Sequence, residues 1–86
     1  MRFDWGDENI AHIARHDVTP VEVIEAFLNT PVEFAAYFRN GEERQAIAGV
    51  TNAGWVLYVV YAFSGNGLRP VTAFESRKHR PLFEGR

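Results

Sequence analysis

Thr19-Pro20-Val21-Glu22 constrains this chain more than any other feature, because it fixes where a helix begins. Thr19 can accept from the third helical amide, and Glu22 can reach back to the Thr19 amide, which makes a capping box. Pro20 falls at the first helical position, where its missing N–H costs no helical hydrogen bond. Val18 and Val23 are spaced for a hydrophobic staple across the start. A helix that begins at residue 20 makes everything before it a separate element.

Residues 2–5 read as a short edge strand. Asp4 is a candidate N-cap, with Asp7 three residues on. The first helix then runs to about residue 16, with Ile10, Ile13 and Ala14 on one face, and Asp17 breaks it. The second helix spans residues 20–28. It turns Val23, Ile24 and Phe27 to the core with Leu28 at the margin, and ends at Asn29-Thr30-Pro31.

From Pro31 the period changes to two. Val32, Phe34, Ala36 and Phe38 alternate with Glu33, Ala35, Tyr37 and Arg39. Asn40-Gly41 is a strong turn signal, and a second strand follows over residues 44–51. Asn52-Ala53-Gly54 turns the chain again. Residues 55–63 are apolar on both faces, which predicts the central strand. Ser64-Gly65-Asn66-Gly67 is the third turn. The last strand covers residues 68–75, and Pro70 assigns its start to an edge or a bulge. Residues 76–84 form a polar, basic tail with room for one helical turn, which Pro81 limits. The order is β-α-α-β-β-β-β. Short turns between strands imply an antiparallel meander with both helices on one face, an α+β domain.

With 86 residues the chain makes one small domain, residues 1–86, and 47% apolar content supplies its core. It has no cysteine, which excludes disulfides and thiolate chemistry and fits a reducing cytosol. The longest apolar run, residues 56–63, is too short to span a bilayer. The first residues show no signal-peptide pattern. The net charge of −2 hides an asymmetry. Residues 1–43 carry nine acids against three arginines; residues 44–86 carry six bases against Glu75 and Glu84. Such a division marks a face for nucleic acid or an acidic partner, or it is used up by pairing between the halves.

His12 and His16 lie one helical turn apart. Such a pair can hold a metal or supply an acid and a base, but the sequence places no third ligand, so no metal or other cofactor is expected. His16 is the acid/base candidate. Arg15 and His16 at the end of the first helix also suit its macrodipole. Arg44 and Arg69 each follow a turn, and the plain partner of Arg44 is Glu42 or Glu43. Arg77, Lys78, His79 and Arg80 form the dense basic cluster, suited either to phosphate or to solvent. No P-loop, dinucleotide fingerprint, nucleophile elbow or zinc pattern is present.

Several short motifs then fall in a telling order. They are FDWxxxN at 3–9, RHDVTPxE at 15–22, EAF at 25–27, Glu43-Arg44, LYVVY at 57–61 and RPVTA at 69–73. In this order the chain resembles the BrnT toxins of bacterial type II toxin–antitoxin systems over nearly its whole length. The resemblance implies a RelE-like ribonuclease fold, in which helices pack on a twisted antiparallel sheet. It also implies metal-free RNA cleavage in the cytoplasm and neutralisation by a small DNA-binding antitoxin of the BrnA type, in a hetero-oligomer. The chain departs from the family where an arginine and a lysine are replaced by Phe74 and Glu75, with Arg77 and Lys78 close by. On this reading His16, Arg44 and Arg69 carry catalysis, while Arg15, Arg77, Lys78 and Arg80 hold RNA. Tyr37 and Tyr61 are assigned to core packing ahead of stacking or proton donation. A degenerate, non-catalytic binding module is the second reading, which the changes at Phe74 and Glu75 favour. A small protein that reads only nucleic-acid backbone is the third.

Overall fold

The computed structural model describes residues 2–84. The helix start at Thr19 is built as its residues require. Thr19 Oγ1 accepts from the Glu22 amide at 3.3 Å, and Glu22 Oε1 accepts from the Thr19 amide at 3.0 Å. Helix α2 runs over Pro20–Leu28, and Val18 and Val23 are both buried beneath its first turn. Helix α1 spans Asp7–Ala14. Asp17 ends this first segment in the left-handed region at φ 60°. The Val18 amide donates back to the Ile13 carbonyl at 3.1 Å and the Asp17 amide to Ala14 at 3.0 Å, a Schellman closure. The N-cap of α1 is Gly6, without a side-chain cap, and not Asp4. Asp4 Oδ2 instead accepts from the Ser64 hydroxyl at 3.2 Å, a tertiary bond that no local spacing announces.

Four strands follow: β1 Val32–Arg39, β2 Glu42–Val50, β3 Val56–Ser64 and β4 Gly67–Glu75. They form an antiparallel sheet in the order β1-β2-β3-β4, the expected meander, with β3 between two neighbours. The tail makes one 3₁₀ turn at Arg80–Leu82. Residues 2–5 do not form an edge strand. Phe3 makes one parallel bridge to Leu68, with the Asp4 amide on the Leu68 carbonyl and the Leu68 amide on the Arg2 carbonyl, each at 2.8 Å. Gly67, at φ 125°, permits this: a Cβ there would collide with the Arg2 carbonyl.

Two bulges bend the sheet. Phe34 pairs with Ala46 and Tyr37 with Arg44, so Ala35 and Ala36 both stand opposite Gln45. The expected alternation therefore breaks. Tyr37 takes the face of Phe34, and Phe38 turns out to 72% exposure. Across β3 and β4, Tyr61 pairs with Pro70 and Val60 with Thr72, leaving Val71 as the extra residue. Pro70 thus sits at a bulge on an edge strand, where its missing N–H breaks no ladder.

The core lies between α2 and one face of the sheet. Ile13, Val23, Ala26 and Phe27 meet Ile47, Leu57, Val59 and Ala73 there. The backbone of Ala26 presses on Gly49, where a Cβ would clash. Ala26, three residues after Val23, takes the buried place, while Leu28 is 70% exposed. Helix α1 lies along β4. Its Ile13 joins the core, but its His12 reaches over the β4 edge, where Nε2 lies 3.1 Å from Thr72 Oγ1 on the opposite face. Among the described residues no helix is long and apolar enough to cross a membrane.

Candidate nucleic-acid interface

The sheet face opposite α2 is assembled from alternate residues of all four strands. Phe34 and Tyr37 come from β1, Arg44, Ala46 and Ala48 from β2, Tyr58 and Val60 from β3, and Arg69, Thr72 and Phe74 from β4. Its two ends differ.

At the Asn40-Gly41 end, Glu42 gathers the arginines. Arg69 Nη2 donates to Glu42 Oε2 at 2.6 Å and Arg44 Nε to Oε1 at 3.4 Å. The Arg69 hydrogen bond holds the Glu42 carboxyl below its ordinary range, with Arg44 adding to the effect and partial desolvation opposing it. The register sets Arg39 opposite Glu42 and Tyr37 opposite Arg44. A hollow of about 470 Å³ opens beside them, lined by His12, Tyr37, Arg39, Arg44, Val60 and Thr72. Arg39, Arg44 and Arg69 stand against Glu42 and against Glu8, which lines the same hollow, so this end keeps an excess of one positive charge.

At the other end the face is aromatic. Small Ala46 and Ala48 on β2 let Phe34 reach across to Tyr58, with ring centres 5.7 Å apart. Tyr58 continues to Phe74 at 5.6 Å. His79 folds back from the tail and stacks on Tyr58 at 5.1 Å, with the planes 16° apart. Ser76 Oγ and His79 Nδ1 share a 2.6 Å hydrogen bond that orients the imidazole. Burial pushes the Tyr58 phenol up, and Tyr37 adds to the shift. Arg77 and Lys78, both exposed, rim a hollow of about 770 Å³ over these rings.

The structure thus brings Arg44 and Arg69 together and sets His16 apart from them. His16 is exposed beyond α1, its ring 5.6 Å from His12 and 6.1 Å from Phe74. It lines a separate hollow with Val18, Glu22, Trp55 and Leu57. Arg15 is exposed at the C-cap of α1. Arg80 faces another recess, beside Gly54, Trp55 and Glu75. Core packing holds for Tyr61, 7% exposed, but not for Tyr37, 39% exposed, because the bulge turns Tyr37 to the open face. Sequence reasoning missed the place of His12 beside Arg44, the part of Arg39, and the Ser76–His79 pair. It also missed the aromatic platform, whose available signal was the small Ala46 and Ala48 between Phe34 and Tyr58. Among the described residues no group of three His, Asp or Glu side chains is arranged to hold a metal ion.

No protein-family model matches the chain, and no curated protein matches it.

Proposed function

We propose that this chain is a ribonuclease of the BrnT toxin type with a RelE-like fold. In this reading it works in the cytoplasm without a metal or other cofactor and is neutralised by a BrnA-like, DNA-binding antitoxin in a hetero-oligomer. One observation carries the reading: Arg44 and Arg69 converge on Glu42 at one end of the open sheet face, beside a hollow that also holds His12, Tyr37 and Arg39. Metal-free RNA cleavage needs a base for the 2′-hydroxyl, an acid for the leaving oxygen and cations for the charged transition state. The arginines supply the cations, and each can grip a phosphate through two donors. Glu42 keeps two of them aimed along the face until a phosphate takes its place. His12 serves as the acid or base in preference to His16, since it lines the same hollow as Arg44 and is steadied by Thr72. Arg77 and Lys78 hold the RNA backbone further along the face.

A specific observation favours a second reading, a binding module without catalysis. Glu42 already occupies donors of both arginines and offsets one of their two charges, and Phe74 and Glu75 stand where the resemblance places cations. Purified protein, with EDTA present, separates the two. Degradation of RNA that falls in His12→Ala and Arg44→Ala variants supports the nuclease. RNA that is bound and left intact selects the module. Co-expression with the neighbouring reading frame tests the antitoxin: relief of growth inhibition and co-purification are expected.

A further inference from the structure

We infer that Phe34, Tyr58, Phe74 and His79 form a nucleobase-stacking subsite for single-stranded RNA, with Arg77 and Lys78 taking the adjoining phosphates. This rests on the reading of the chain as RNA-directed and adds the part of the surface that grips bases.

Four flat rings meet on the sheet face opposite α2, with His16 against one edge of Phe74. The Phe34–Tyr58 and Tyr58–Phe74 centres lie 5.7 and 5.6 Å apart, and His79 is nearly parallel to Tyr58. A cluster serving only as core would be enclosed, yet this one borders an open hollow of about 770 Å³. That size lies within the roughly 300–1,000 Å³ of ligand clefts. Phe74 keeps 37% of its surface exposed there. The Ser76 hydroxyl locks the imidazole in plane, so the stacking surface is preformed. Two exposed cations, Arg77 and Lys78, stand on the rim, against the one carboxylate, Glu75, that also borders the hollow from the last residue of β4. Aromatic rings beside cations are what single-stranded nucleic acid requires: every base has a π-face, and every linkage has a charge. The arginine cluster with Glu42 offers charge without such a platform, so the two ends of the face divide the work.

The test uses the full chain and a ten-nucleotide 2′-O-methyl oligoadenylate, which cannot be cleaved through its 2′-oxygen, so binding is read whether or not the chain is a nuclease. NMR titration should move the ring signals of Phe34, Tyr58, Phe74 and His79. Phe74→Leu and His79→Gln, which remove aromatic surface, should each weaken this oligomer about tenfold. Binding of linear polyphosphate, which has charge and no bases, should stay unchanged in both. Reversing Arg77 and Lys78 to Glu should weaken both probes and lower the salt dependence by about two contacts. Melting curves confirm that each variant folds. Unchanged oligoadenylate affinity in folded Phe74→Leu and His79→Gln overturns the subsite, even if RNA is cleaved. An equal loss for polyphosphate overturns it as well. An intact platform effect in a protein that cleaves nothing leaves the subsite standing and removes only the nuclease.

Discussion

On one side of β3, Leu57, Val59 and Tyr61 join the core under α2; on the other, Tyr58 meets aromatic rings and a turn of the tail. Both sets come from one apolar strand. The first is enclosed by branched side chains and by the Ala26–Gly49 contact, where helix and sheet backbones touch. The second is covered by flat rings and flanked by arginines. Enclosure gives stability, and a flat, half-covered surface gives a place to bind. Mutations should therefore divide by face, damaging either the fold or the RNA binding proposed above.

The largest effect should come from Ile47→Ala on the helix face, where Ile47 is almost wholly buried. Emptying that place should cost about 2–5 kcal/mol. Each kcal/mol corresponds to roughly 4–8 °C of melting midpoint in a domain this small. Phe74→Leu, on the open face, should leave the midpoint nearly where it was. Equal losses in the two would erase the distinction between the faces.

Arg44→Ala tests the open face in the opposite sense. On the proposed nuclease reading, loss of one transition-state cation costs on the order of 3 kcal/mol, about a hundredfold in RNA cleavage. The exposed pair with Glu42 adds little to stability, so the fold should be unchanged. His12→Ala should lose a comparable factor in rate and His16→Ala much less. A larger loss at His16 would move the acid–base role back to the end of α1.

Thr19→Ala removes the cap of α2 and should cost about 1 kcal/mol, visible as a lower melting midpoint. Oligonucleotide binding should not change, since the cap lies outside the open face.

The smallest effect is electrostatic. Arg69 and Arg44 hold the Glu42 carboxyl below its ordinary value of 4.5. The stabilisation is therefore present above that value and is lost as pH falls through the lower folded one. Glu42→Gln should flatten the acid limb of the stability–pH curve below about pH 4.5. An unaltered limb would mean that the arginines do not rest on Glu42 in solution.

Both helices, the meander and the inner position of β3 were legible in the sequence, because each has a local signal: a capping box, paired turn residues, an unbroken apolar run. The N-cap of α1 was not, since Gly6 caps with backbone alone while Asp4 is drawn to Ser64 from another part of the chain. The bulge at Ala35-Ala36 was also hidden. Two alanines fit either face, and alternation gives no sign of an inserted residue. That bulge decides the site, because it sends Tyr37 toward Arg44 and Phe38 into solvent. Arg44 and Arg69 were recognised as cations after turns, but their meeting at Glu42 depends on the pairing register across three strands. His12 and His16 look alike in sequence. Only the seating of α1 against β4 separates one from the other.

The bridge between Phe3 and Leu68 has a consequence for the order in which the chain acquires its shape. Residues near one end find their partner more than sixty positions away, and α1 has its packing partner in β4. Such distant pairing must close a long loop before it is rewarded, which slows folding. A ribosome-bound chain that has not yet released β4 leaves Phe3 and Ile13 without the strand they pack on. The four-stranded sheet, and with it the meeting of Arg69 and Arg44, then forms only after β4 has been made. A fragment ending at residue 66 should show no cooperative melting transition, and its arginines should bind RNA no better than an unfolded basic peptide. Synthesis itself would withhold the arginine cluster and its open face until β4 arrives.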